Sequence, residues 1–488
     1  MLSGFLELMQ QVQNIIKTSR EAVSGPPAAS LGVAVALTLI LTWLATGSSL
    51  MAIIGAFSAA GTALVWIYPK QALVLLVGSL FLESETFSIA LPWGRVRVFH
   101  MLALVLAIRA LYDLIAGRIR LRRTLLDIPL LAFIGVGITA LPLAPDFAYA
   151  VKILGLTVFL ALLYWLIVHY VRTADAVRRI TKWFVAFGLL QILIGIGQVT
   201  LAYIDARYGP LGFDITVFHS EILPFGRPFG TFVEPDWFGA IAGALLALIA
   251  VRVFDRKEQN QMRWLGLTLL VGGALVLSGV RGAWLGAVGS AIFVVLFNRS
   301  RQWLNLKAVP AILISAAIIL AFLALVLPEL TSSLIQRLVS LGSLSAVSDE
   351  PRLAIVQEGI EIWLRSPWLG HGPGGFGSLG TVPSIPAIDA LVQGLVPFQT
   401  NIIVNVLIDA GVIGLLVAGW MTATLIRMIR RGFMLVPQEL QTTLLGLTAA
   451  LVGLAVTYQV TTGAWLALTW FLVGLTASTA LIRKSTQV

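Results

Sequence analysis

Long apolar runs alternate with short polar breaks along most of the chain. Runs of spanning length lie at about 30–46, 50–67, 70–90, 98–116, 125–143, 150–171, 183–203, 234–253, 264–279, 282–297, 308–328, 400–426, 441–459 and 464–482. A hydrocarbon core about 30 Å thick needs about 20 such residues in a helix. The pattern predicts an all-α polytopic membrane protein with 12–14 transmembrane helices, fourteen by direct count. Residues 1–28 read differently. Leu2, Phe5, Leu8, Met9, Val12, Ile15 and Ile16 have helical spacing but share the stretch with Glu7, Lys17 and Arg20. This predicts an interfacial amphipathic helix, set off by Pro26-Pro27 and lacking the positive start and unbroken apolar centre of a cleaved signal.

Composition agrees. Of 488 residues, 58% are hydrophobic and 11% charged, against roughly 25% charged in soluble domains, which excludes a soluble fold. Without cysteine there is no disulfide framework, thiolate metal site or cysteine nucleophile. The net charge of +10 is distributed by side. Clusters such as Arg118, Arg120, Arg122 and Arg123, or Arg427, Arg430 and Arg431, fall in alternate loops, so those loops and both termini are expected to be cytoplasmic. An excess arranged this way points to a membrane surface and not to nucleic acid.

The predicted organisation is an interfacial helix (1–28), N-terminal spans (29–203), further spans with a first extracytoplasmic loop (204–328), a large extracytoplasmic loop (329–399) and C-terminal spans (400–488). Function is expected in the two long outside loops. The larger holds a predicted helix with Ser348, Asp349 and Glu350 as capping candidates, Pro351 in its first turn and Ser366-Pro367 as its stop. Leu353, Val356, Ile360 and Trp363 share one face, predicting a helix resting on the outer leaflet.

Several residues combine charge with a membrane-boundary position. Arg281 sits in the only break between two spans, as a snorkelling anchor or as an anion clamp, since guanidinium binds phosphate with two parallel hydrogen bonds. Arg352 opens the loop helix, where it either pairs with nearby carboxylates or joins Arg281 around a diphosphate. Asn401, Asn405 and Asp409 recur every four residues and face into the bundle, for interhelical hydrogen bonding or for a substrate. Gly370-His371-Gly372-Pro373-Gly374-Gly375 formally matches a dinucleotide-binding pattern but follows a helix, so it reads as an anion-binding nest or a turn. In the first loop Arg227, Glu234 and Asp236 gather at the lip of a span, where Glu234 is a candidate base; His219 and Glu221 are weaker candidates.

Four stretches carry a resemblance: Gly226-Arg227-Pro228-Phe229-Gly230-Thr231-Phe232; Ser278-Gly279-Val280-Arg281-Gly282-Ala283-Trp284; Arg352 through Gly372; and Asn401 followed by Gly411 and Gly414. Over about residues 180–430 the chain resembles the O-antigen ligase and polymerase superfamily. The resemblance implies glycan transfer from a polyprenyl diphosphate carrier to a saccharide or lipid acceptor at the outer face of the cytoplasmic (inner) membrane. It matches Arg281 and Arg352 to the ligases' essential arginines. It implies no metal and no cofactor. The implied partners are the carrier-linked glycan, membrane lipids and envelope polysaccharide assembly proteins. The ligases carry a base histidine before the asparagine; here it is Thr400, whose hydroxyl takes no proton at neutral pH. Either another group is the base, with His371 and Glu234 the candidates, or the chain is a divergent polymerase-like member, or it is a non-catalytic relative that binds the carrier lipid. Thr400, Asn401, Asp409 and Arg227 are then expected at the substrate. The rival from another class is a transporter of a lipid-linked sugar or small anion.

Overall fold

The computed structural model describes residues 65–84, 88–91, 94–117, 119–209, 218–220, 223–255, 258–301, 328–339, 350–380, 401–461 and 466–483, with isolated positions at 463 and between 310 and 325. Two compact units result, one of Met1–Ser79 with Ile89–Arg120, the other of Leu80–Ser88 with Leu121–Val488. In the first, α1 (Pro69–Ser79) packs on α2 (Val98–Ile115). Arg109 of α2 pairs with Asp113 one turn later at 2.9 Å and stacks over the rings of Trp66 and Tyr112, so a charge within a span has its countercharge on the same helix. Strands β1 (Ser88–Leu91) and β2 (Gly94–Arg97) pair and lead into α2.

The second unit holds α3 (Asp127–Ala140), α4 (Phe147–Tyr170), α5 (Ala174–Tyr208), α6 (Pro235–Phe254), α7 (Gln261–Leu277), α8 (Arg281–Arg301), α9 (Pro328–Val339), α10 (Glu350–Arg365), α11 (Gly375–Leu379), α12 (Ile402–Leu435), α13 (Gln438–Thr457) and α14 (Ala467–Ala480). An antiparallel hairpin, β3 (Phe218–Ser220) and β4 (Leu223–Arg227), joins α5 to α6. Helices α2, α4, α5, α6, α12 and α13 are long and apolar enough to cross a membrane, and four shorter apolar helices accompany them. The fold is an all-α polytopic membrane protein. Ten of the fourteen predicted runs have a described apolar helix. The interfacial helix at 1–28 and the run at 30–46 lie outside the described residues, as do most of 50–67 and 308–328.

Two expectations need correction. The run at 70–90 is helical only to Ser79; a turn follows, and Ser84 N donates to Thr231 O at 2.8 Å, because Glu83, Ser84 and Glu85 interrupt the apolar sequence. The loop helix is α10, which ends before Ser366-Pro367 as expected, yet it does not merely rest on a leaflet. Ile355, Val356, Ile362 and Trp363 pack with Phe376 against Val404 and Ile408 of α12, while Leu353, Ile360 and Leu364 stay exposed. The apolar arc is wide enough for both a protein face and an exposed face.

The core of this unit centres on α13, which packs on α6 and α8. Its contact with α8 depends on small residues. A side chain at Gly286 would collide with Thr457 and the Gly453 carbonyl, and Ser290 Oγ donates to Ala449 O at 2.7 Å. Close backbone approach replaces the hydrophobic effect as the packing force inside a bilayer.

Candidate functional site

Arg281 is the first residue of α8, after a turn that Gly279 makes at φ 65°. Trp284 Nε1 donates to Leu275 O at 2.9 Å and Val280 N to Ser278 Oγ at 3.3 Å, closing the turn onto both flanking helices. Arg227, at the end of β4, reaches this turn from the side. Its Nε donates to Ser278 O at 2.8 Å, and a terminal guanidinium nitrogen donates to Asp236 Oδ1 at 3.1 Å. Asp236 Oδ2 accepts from Thr461 Oγ1 at 2.7 Å. Glu234 is the N-cap residue of α6, two residues before Asp236, and is half-buried.

The loop that carries Arg227 is clamped from α5. Gln198 accepts from Phe229 N and Gly230 N and donates to Gly230 O, while Gln191 Oε1 accepts from Thr231 N at 3.0 Å. Gly230 is at φ 62°, and a Cβ there would meet Gln191 Oε1 at 2.7 Å. The two glutamines are seven residues apart, two turns of one helix face.

Asn401 belongs to the same end of the molecule. Its Oδ1 accepts from Ile403 N and Val404 N, making it the N-cap of α12, and its Nδ2 donates to Gln459 O at 3.0 Å. Ile402 N donates to Tyr458 O, so the start of α12 is tied to the 458–461 segment that also supplies Thr461. Tyr458 is itself buried, and its phenol is hydrogen-bonded to Thr469 at 2.6 Å. Replacing Asn401 with alanine removes the cap and the tether together and is expected to cost about 1–2 kcal/mol; the thermal midpoint of the purified protein measures it.

Helix α12 is broken at Gly411 (φ 64°, ψ −164°). The segment after α10 fills the gap: His371 N donates to Ile408 O at 2.7 Å, Val412 N to Pro367 O at 2.9 Å and Ile413 N to Trp368 O at 3.2 Å. His371 Nε2 lies 2.8 Å from Ile362 O, a carbonyl in the last turn of α10. That contact requires an N–H on Nε2, which leaves Nδ1 as the basic atom of the neutral ring. In the glycine-rich loop the side chain of Asp409 is held by a backbone N–H group and by a neighbour on its own helix. Its Oδ1 accepts from Gly375 N at 2.9 Å and its Oδ2 from Asn405 Nδ2 at 3.2 Å.

Thus Arg227, Glu234, Asp236, Arg281 and Asn401 share one end of the helical bundle, while Asp409 and His371 sit two turns further along α12. Arg352 is in the first turn of α10, but its side chain lies outside the described residues, as do Thr400, Glu221 and the His219 side chain. Thr461 and the two glutamines escaped the sequence reading, which named Ser278 only as part of the Arg281 motif. For Gln191 and Gln198 a signal existed: polar residues inside a span must find partners in the bundle.

No curated protein matches the chain. A family model described as O-antigen ligase matches residues 266–419. The matched stretch runs from α7 through the first half of α12 and contains Arg281, Arg352, His371, Thr400, Asn401, Asp409, Gly411 and Gly414, whereas Arg227 and Glu234 precede it. With its polytopic helical fold, the chain is consistent with membership of the O-antigen ligase superfamily.

Proposed function

We propose that this protein is a glycosyltransferase of the cytoplasmic membrane, with both termini in the cytoplasm, that moves a glycan from a polyprenyl diphosphate carrier to a saccharide or lipid acceptor on the outer side. The observation that carries the reading is the O-antigen ligase match across Arg281, Arg352 and the broken helix α12. An acceptor hydroxyl oxygen bonds to the anomeric carbon of the donor sugar while the bond from that carbon to the diphosphate oxygen breaks. The electron pair leaves with the carrier diphosphate. Arg281, aided by the positive end of α8, and Arg352, at the start of α10, offset the charge that develops there. The hydroxyl proton passes to His371 Nδ1 or to Glu234.

The test uses the full chain in proteoliposomes with a polyprenyl-diphosphate-linked oligosaccharide and acceptor. Covalent product with release of carrier diphosphate is expected. Movement of the intact lipid-linked sugar across the bilayer without product would instead make the protein a transporter. The base is assigned in the same assay. If His371 is the base, His371→Ala is expected to slow transfer about 10²–10⁴-fold, and Thr400→His to restore part of that loss in the His371→Ala background; unchanged rates in His371→Ala leave the role to Glu234.

A further inference from the structure

We propose that Arg227 is a positioning residue that sets the direction of Arg281 and does not itself bind the carrier, with Asp236 and Thr461 as the frame that holds it; the inference rests on the proposed role of Arg281 as a diphosphate ligand. Arg227, at the end of β4, meets the start of α6 and the turn between α7 and α8, and the segment after α13 joins them through Asp236. Its guanidinium spans the carbonyl of Ser278 and the carboxylate of Asp236. Both carboxylate oxygens of Asp236 are engaged, one by Arg227 and the other by Thr461. Arg227 is buried, and Ser278 is completely so. Their bond lies three residues before Arg281, and between them stands the reversal at Gly279. A small rotation of this carbonyl therefore swings the first turn of α8 and the side chain that leaves it.

The same frame reaches the other side of α8. A side chain at Gly282 would press on Val460 and come near Thr461, so the 458–461 segment borders the turn that Arg227 grips. That segment also holds Asn401 and the start of α12. The latch thus registers Arg281 against the mouth of α12. The planar guanidinium makes these two bonds from two nitrogens at a fixed spacing; lysine carries the same charge on a single nitrogen, which does not reproduce that two-point geometry.

The experiment measures binding of farnesyl diphosphate and of farnesol to the full chain in detergent. The wild type is expected to prefer the diphosphate, and Arg281→Ala to erase that preference. Arg227→Lys, with its charge kept, is expected to weaken diphosphate binding about tenfold and to leave farnesol binding unchanged, which general unfolding would not do. Added to Arg281→Ala, Arg227→Lys should have no further effect, since it acts through the residue already removed. Thr461→Val, a gentle change at the far end of the latch, should lower the preference a few-fold in the same direction. An independent further loss in the double variant, or full diphosphate affinity in both Arg227→Lys and Thr461→Val, would overturn the latch. A wild type with no preference for the diphosphate would sink the reading of Arg281 itself, a result distinguishable from failure of the latch alone.

Discussion

Alanine at position 411 is expected to unseat the 367–370 segment from helix α12 and to cost about 3 kcal/mol or more of stability. Gly411 has a backbone conformation that residues with a side chain rarely adopt, and its missing Cβ leaves room for the Trp368 carbonyl, which a methyl would strike. Relief would require withdrawing residues 367–370 and so giving up the bonds from Val412 and Ile413 to that segment. Helix α10, with Arg352 in its first turn, would lose its anchor. Gly419 on the same helix is the control, because nothing lies within 4 Å of its Cβ position. Gly419→Ala is expected to be neutral or to stabilise by about 0.5–1 kcal/mol. Thermal midpoints of the purified variants, together with protease sensitivity of the 367–380 segment, measure the contrast; equal midpoints for the two would contradict the account of the break.

A large catalytic effect is also expected at Arg281, whichever group is the base. Its replacement by alanine should slow transfer by about 10²–10³-fold, the usual cost of losing one preorganised group at a developing negative charge. The fold should survive, since the turn before α8 is held by Trp284, Ser278 and Arg227 through atoms that the substitution leaves alone. Lysine at 281 should recover part of the rate, because it restores charge but not the two-pronged geometry. Rates of product formation in proteoliposomes, with melting curves as the control for folding, decide this; a variant that transfers at the wild-type rate would remove Arg281 from the mechanism.

Much of this architecture was legible because a bilayer imposes simple rules on sequence. Apolar runs located ten of the described helices, and Pro351 with Ser366-Pro367 bracketed α10. Other features depended on contacts that no local pattern encodes. Glycine at 411 looked like part of a family spacing; its cause is a loop more than thirty residues away in sequence that lodges in the helix break. The glycines near His371 left an anion nest and a turn as alternatives; the side chain that Gly375 N meets there comes from Asp409, in another element. Arg227 is expected at the substrate from its charged neighbourhood at the lip of a span and from the resemblance, and neither signal reveals the bonds it makes. Its carbonyl partner, Ser278, lies 51 positions away and is a backbone atom, which sequence cannot mark. The two-sided packing of α10 was likewise hidden, since an amphipathic pattern records how wide an apolar face is and not what covers each part of it.

The most direct test of carrier-linked transfer is made in cells. A strain lacking this protein and any redundant transferase is complemented with the wild type or Arg281→Ala, and surface polysaccharide and lipid-linked precursor are quantified together. Loss of polymer with accumulation of precursor in the deletion and in Arg281→Ala, both reversed by the wild type, is the predicted result. Unchanged pools in the deletion strain would contradict glycan transfer from a diphosphate carrier as the chemistry of this protein.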